Sequence, residues 1–345
     1  MSENISTNEN ITNISKMKYT VYKYIKLTFF YIVSIALLLL FMELILFFWS
    51  IQCQKRMFSN WGIKKQFSKY YTKAPYEMSD FSPDRFRKDT GLQYKKKSIL
   101  IFGCSHLYGA GLLNNEQTFS YKLSESTQRP VYNRAFWGWA PSHMLYILQN
   151  KKWIKDIKEP EYIFTLFMPD YEERFYFYQG WPYDSGKYLR YTLNKNDTLK
   201  LAPVDHYPWY WRLLIIKYVQ YSLERFQKNK TYTNKLYLTI MQENMNIIKK
   251  DYPNAKVIIL LYQGSIAIDN KPKEIKTTKE FFDSKPFDAR TFEELNKMGY
   301  LIINMEELVG HTLEQEKYKI KGDPTHPNEK VWDEVIPLLK NELSL

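Results

Sequence analysis

The chain reads as an α/β protein, a parallel sheet covered by helices on both faces, carried behind an N-terminal membrane-spanning helix. Three observations predict this. Residues 27–51 form one long apolar run. Five short apolar runs follow at intervals, and helical patterns lie between them. Continuous apolar runs of this length suit strands buried on both faces, and strands alternating with helices build a parallel sheet. With 345 residues, 45% hydrophobic and 25% charged, the chain is long and apolar enough for one large core or two small ones.

The elements follow in order. Residues 1–26 are a polar tail, and its Asn-, Ser-, Thr- and Glu-rich part, 2–15, is expected to be disordered. Residues 27–51, LTFFYIVSIALLLLFMELILFFWSI, carry a single charge, Glu43. A bilayer core needs about 20 apolar residues in a helix. A secretory signal has a shorter apolar region, roughly 7–15 residues, followed by a small-residue cleavage site, and no such site is evident. The run therefore reads as a retained single-pass anchor in the lipid bilayer, with Trp49 at the interface. Glu43, a carboxylate at membrane depth, marks a candidate contact with a membrane partner; the plainer reading is a protonated side chain near the interface. Lysines flank the run on both sides, so charge does not decide the orientation. A short tail before one helix and a large domain after it favours the domain on the outer, periplasmic or extracellular, side.

Residues 52–95 read as a polar connector and 96–345 as the folded domain. The predicted strands are SILIFG (98–103), VYNRAF (131–136), YIFTLFM (162–168), VIILLY (257–262) and LIIN (301–304). Helices are expected from Pro141 to about 157, over 235–250, over 291–298 with Gly299 as its stop, and over 328–343 with a kink at Pro337. Residues 172–234 break the alternation. They hold runs such as FYFYQGWPY and HYPWYW, an insertion that either lines the functional face or forms a peripheral aromatic cluster.

The formal charge is +12, but the lysines are scattered, and no zinc-finger spacing or RNA-binding aromatic motif accompanies them. Nucleic acid is therefore not an expected partner. The two cysteines, Cys53 and Cys104, offer no disulfide framework. No metal site and no cofactor is expected: His106 and His326 lack a clear third ligand, and Gly109 and Gly111 lack dinucleotide-loop spacing.

The chemistry concentrates at the first strand end and the last loop. The first strand runs into Phe102-Gly103-Cys104-Ser105-His106, which places Ser105 at the carboxyl edge of the sheet, where such folds bind ligands. A serine needs a histidine base oriented by a carboxylate to act as a nucleophile. His326 lies in Gly322-Asp323-Pro324-Thr325-His326-Pro327-Asn328, where Asp323 can turn back onto the imidazole. The other acid–histidine neighbour, Asp205-His206, sits in the irregular insertion and reads as solvated loop.

These segments resemble the SGNH/GDSL hydrolase superfamily, in a membrane-anchored form with a Gly-Cys-Ser-His nucleophile motif. Residues 101–112, IFGCSHLYGAGL, resemble the nucleophile motif; Asn133-Arg-Ala-Phe-Trp-Gly138 the second motif; Asp323-Pro-Thr-His-Pro-Asn328 the terminal Asp-x-x-His motif. The match covers about 98–145 and 320–340, is weaker over 162–174 and 257–264, and is absent from the insertion. The resemblance implies a three-layer α/β/α flavodoxin-like parallel sheet. It implies Ser105 as nucleophile, His326 as base, Asp323 as its orienting carboxylate, and the N–H groups of Ser105 and Gly138 as the oxyanion hole. The sequence departs from the family at two points. Cys104 stands where an Asp is usual. Asp170 stands near the expected oxyanion-hole Asn, and an ionised carboxylate repels an oxyanion; Tyr171 and Arg174 are candidate substitutes. Cys104, His106, Asp170, Tyr171 and Arg174 are the candidate site-lining residues.

The expected function is a serine esterase acting on O-acyl groups, acetyl among them, of cell-envelope or secreted polysaccharide or another small ester. Two alternatives stand beside it: an O-acyltransferase using the same acyl-enzyme, and a degenerate module that binds glycan or a membrane partner.

Overall fold

The computed structural model describes residues 21–42, 44–45, 86–112, 114–136, 139–151, 153–157, 159–168, 190–202, 230–263, 277–283, 289–313, 315–320 and 326–345. The N-terminal helix α1, Val21–Met42, is long and apolar enough to cross a membrane, a test that signal sequences near an N-terminus also pass. At 1.5 Å rise per residue its 22 residues span about 33 Å, against about 30 Å of bilayer hydrocarbon. Its described part reaches six residues ahead of the apolar run and includes Lys23 and Lys26. Glu43 and residues 46–51 lie outside the described residues.

The domain is built on five parallel strands: β1 Ile99–Gly103, β2 Val131–Ala135, β3 Tyr162–Phe167, β6 Lys256–Leu261 and β7 Tyr300–Asn304. Their order in the sheet is β2-β1-β3-β6-β7, and every neighbouring pair is parallel. This is the 2-1-3-4-5 order of flavodoxin-like sheets. All five coincide within a residue or two with the apolar runs. β3, at the centre, is buried along its whole length, and β6 is buried at every residue but Lys256.

The helices are α2 Ser105–Tyr108, α3 Phe119–Thr127, α4 Pro141–Asn150, α5 Lys230–Asp251, α6 Thr278–Asp283, α7 Ala289–Met298, α8 Met305–Val309 and α9 Glu329–Leu343. The step from β1 to β2 runs one way across the sheet, and the steps from β2 to β3, β6 and β7 run the other. Right-handed crossovers therefore put α3 on one face and α4, α5 and α7 on the other. The chain ends with α9 packed beside α3. There Phe119 meets Trp332 and Phe164 at ring-centroid distances of 5.1 and 5.9 Å. Lys122 pairs with Asp333, and Lys340 Nζ donates to Ser126 O at 2.8 Å. On the opposite face Phe167 meets Tyr237 of α5 at 5.4 Å. Phe164 and Phe167 thus serve opposite layers, as the two-residue period of a strand requires. α9 continues through Pro337 to Leu343.

Two segments go beyond the sequence reading. The end of the stretch read as connector is packed into the domain: Phe86 and Arg87 are buried, and Thr90 bridges to Val131. The aromatic insertion contains an antiparallel hairpin, β4 Arg190–Leu193 with β5 Leu199–Ala202. Its turn is closed by Asn194, whose Oδ1 accepts the N–H groups of Asn196 and Thr198 at 2.9 and 3.0 Å. Tyr191 ties it to α4 by donating to Gln149 Oε1 at 2.7 Å.

Phe164 is fully buried between α3 and the centre of the sheet. Phe164→Ala is expected to destabilise the domain by about 3–5 kcal/mol. Denaturant unfolding of the full chain in detergent checks this. A change within about 0.5 kcal/mol, the range of a surface substitution, would place Phe164 outside the core.

Candidate active site

The site begins where β1 ends. Gly103 has φ +156°, and a Cβ there would press on Leu107 Cδ1 at 3.0 Å. Cys104, in extended conformation, caps α2, a single turn in which Ser105, His106, Leu107 and Tyr108 are all buried. Gly109 closes the turn at φ +78°, in the left-handed region, with its N–H directed at the carbonyls of Ser105 and His106; a Cβ there would lie 2.8 Å from Thr118 Cγ2. Ser105 retains 8% exposure, at the first position of the turn.

One helical turn leaves most of its carbonyls without intrahelical partners. Here side chains from elsewhere accept that task. Buried Arg87 donates from Nε to Tyr108 O at 3.1 Å and from Nη2 to Gly109 O and Leu112 O at 2.7 and 2.9 Å. Its guanidinium also lies 5.5 Å from the centroid of the Tyr108 ring, whose phenol is pushed far above its ordinary range by burial, against the opposing pull of the Arg87 charge. Asn133 of β2, fully buried, donates to Leu107 O at 2.9 Å and Ser120 Oγ at 3.2 Å, and accepts the Ala135 N–H at 3.0 Å. The sequence reading placed Asn133 in a motif and gave Arg87 no role. An arginine in a chain of charge +12 carries no signal that it is buried.

β1 and β3 leave the sheet side by side in the middle, and the crevice between their ends is the switch point of this strand order. Cys104 Sγ lies there, 3.3 Å from Met168 Sδ and 3.5 Å from His106 Nδ1. The His106 ring is 5.4 Å from the Tyr262 ring at the end of β6 and 5.1 Å from the His326 ring. Farther along the same edge, the Gln263 N–H faces both carboxylate oxygens of buried Glu306 at 3.2 and 3.1 Å, and Gln263 Nε2 donates to Asn304 Oδ1 at 3.0 Å.

His326 reaches the site on a loop secured to the start of α9. Ile320 N donates to His326 O at 3.1 Å, and Asn328 N to Tyr318 O at 2.8 Å. Asn328 Nδ2 donates to Lys317 O and Lys319 O at 2.8 and 2.9 Å, while its Oδ1 caps α9 through the Lys330 N–H at 3.0 Å. A second tie holds Tyr318: its hydroxyl donates to Glu334 Oε1 at 2.7 Å, and the stacked His311 ring meets Glu334 Oε2 at 2.8 Å. His311 Nδ1 faces Thr312 O at 3.2 Å.

The structure thus gathers Cys104, Ser105, His106 and His326 at one sheet edge. Asp323, Gly138, Asp170, Tyr171 and Arg174 lie outside the described residues. Beside the second motif, Phe136 and Trp139 pack with Phe86 at 6.5 and 5.7 Å, and Trp139 stacks on His143 at 5.1 Å. Among the described residues, no group of three His, Cys, Asp or Glu side chains is placed to hold a metal ion.

Two outcomes follow for the supports of the site. Arg87→Met removes three charge-assisted bonds and is expected to cost more than about 3 kcal/mol, with Arg87→Lys between it and wild type because lysine lacks the planar fork. Thermal unfolding orders the three; a Met variant as stable as wild type would refute the bracing role. The Glu334 carboxyl titrates below its ordinary value of 4.5, since burial, which raises it, is outweighed by hydrogen bonds from Tyr318 and His311. A depressed carboxyl stabilises the fold above its unfolded pKa and loses that contribution as pH falls through the folded value. The pair is 36% and 39% exposed, so solvent screening keeps its worth below about 1 kcal/mol. The stability difference between wild type and Glu334→Gln should be present at neutral pH and vanish below the ordinary carboxyl range; a difference independent of pH would contradict it.

No protein-family model matches the chain, and no curated protein matches it. Among solved structures it is similar to one assigned as a GDSL-like lipase from Parabacteroides merdae, at 12% identity and TM-score 0.35, over 71% of this chain and 97% of that one. It is similar to an acetyl xylan esterase from the rumen bacterium Butyrivibrio proteoclasticus, at 11% identity and TM-score 0.39, over 73% and 65%. It is also similar to a salicylyl-acyltransferase from a tetracycline biosynthetic pathway, at 12% identity and TM-score 0.36, over 72% and 55%.

Proposed function

We propose that the chain is a membrane-anchored serine esterase of the SGNH/GDSL type, with Ser105 as nucleophile, His326 as general base and Asp323 as the carboxylate that orients it. The observation that carries this reading is the convergence of two distant segments: the Ser105 turn ends β1 at the switch point, and the loop before α9 brings the His326 ring to within 5.1 Å of the ring of the next residue, His106.

In this reading Ser105 Oγ attacks the acyl carbonyl and passes its proton to His326. The carbonyl oxygen gains the electron pair and accepts the N–H groups of Ser105 and Gly138. Collapse expels the alcohol, which takes the proton from His326, and water repeats the sequence to release the acid. Helix α2 favours this role, since Ser105 stands at its first position, where a backbone N–H lies outside the helix's own hydrogen-bond ladder and can serve an oxyanion. Asp170 follows β3 near the sequence position of the expected donor; either it points away from the oxyanion, or Tyr171 or Arg174 substitutes as donor, or activity is weakened. The apolar helix α1 and the aromatic-rich insertion favour an O-acylated envelope or secreted polysaccharide as substrate, with the domain on the outer side.

The test is covalent labelling of the full chain in detergent with a fluorophosphonate. Labelling is expected in wild type and lost in Ser105→Ala and His326→Ala, with turnover of an activated ester falling on the order of 10⁶-fold in either variant. Acetate release from an O-acetylated glycan then tests the substrate class. A folded wild-type protein that takes no label would overturn the reading.

A further inference from the structure

We propose that Cys104 Sγ, Met168 Sδ and His106 Nδ1 form a binding site for copper(I) that flanks Ser105. The three donors come from the ends of two adjacent strands. Cys104 and His106 follow β1 on either side of Ser105, and Met168 follows β3. Cys104 Sγ is 3.3 Å from the Met168 sulfur and 3.5 Å from the His106 nitrogen. Metal–sulfur bonds of about 2.3 Å and metal–nitrogen bonds of about 2.0–2.1 Å set such donor pairs roughly 3.1–3.8 Å apart at bond angles of about 90–110°. Each distance therefore lies within the reach of one ion held by that pair, and Cys104 is common to both pairs.

The donor set and its burial select the ion. A thiolate and a thioether are soft ligands, which favour copper(I) over the divalent ions that prefer carboxylate or water. Cys104, Met168 and His106 are 0%, 1% and 3% exposed. A buried site penalises net charge. One thiolate with one monovalent cation is neutral, whereas a divalent ion would leave a buried positive charge with no carboxylate in the trio to offset it. Binding forms the Cys104 Sγ–copper bond, releases the thiol proton to solvent and changes no oxidation state. His106 then ligates through Nδ1 and carries its proton on Nε2. The bound ion fixes the two residues on either side of Ser105. Its effect on Ser105 reactivity rests on the esterase reading; the binding itself does not.

The experiment uses the full chain, reduced and anaerobic in detergent, competing for copper(I) against a chromophoric chelator. Wild type should withdraw one equivalent. Cys104→Ser should weaken binding by more than about 100-fold, the upper end of what losing even an outer-shell partner costs. Met168→Leu conserves volume, keeps the thiol and should weaken binding by at least about tenfold. Cys53→Ser should bind as wild type does. Thermal unfolding confirms that each variant is folded, and X-ray absorption should report two sulfurs and one nitrogen. No withdrawal by wild type, or withdrawal that both Cys104→Ser and Met168→Leu leave intact, overturns the site and leaves the trio a hydrogen-bonded packing contact. Fluorophosphonate labelling with and without copper(I) separates the two readings. Slower labelling with copper supports control of Ser105, and unchanged labelling refutes that control. A protein that binds copper but takes no label in its absence refutes the esterase reading and leaves the site standing.

Discussion

The reversal of strand order at β1 is the constraint on which the rest depends. The chain leaves β1 for β2 on one side, then crosses back to β3 on the other. Right-handed crossovers send the intervening helices to opposite faces, which makes the crevice between the ends of β1 and β3 the switch point of the sheet. The side chains that follow β1 therefore stand at this crevice. Ser105 has that environment, at 8% exposure among neighbours that are almost wholly enclosed. The same reversal explains why the C-terminus matters to the site. α9 packs on the α3 face, and the loop that starts it must pass the carboxyl edge, which delivers His326 to the ring of His106.

What the sequence made legible was what burial writes into it. Strands enclosed on both faces must be apolar throughout, so β3 and β6 could be read as runs, and their ends located within a residue or two. Ser105 was read at the end of the first strand, and His326 in the loop just before the final helix. α2 was not legible as a helix, because four residues give no period. The turn is made by Gly103, Gly109 and side chains from far along the chain. Arg87 was hidden for a related reason. Its role rests on three carbonyl oxygens, which every residue has, so no side-chain pattern announces them. The β4–β5 hairpin was masked by the aromatic composition around it, and only the Asn194 turn chemistry would have marked it.

The site also shows how polar groups are kept in a low-dielectric place. A buried charge is tolerated when dipoles surround it. Arg87 meets carbonyls at the end of α2, where the peptide dipoles present their negative ends, so it stabilises the turn and is itself solvated by it. A carboxylate at position 104, with no exposure at all and the Met168 thioether against it, would have no such company. A thiol can be neutral there and still hold its neighbours. Cys104 thus suits the apolar end of β3 that it touches. Among the described residues His106 is the polar neighbour of Cys104, and its imidazole ring lies near those of both Tyr262 and His326.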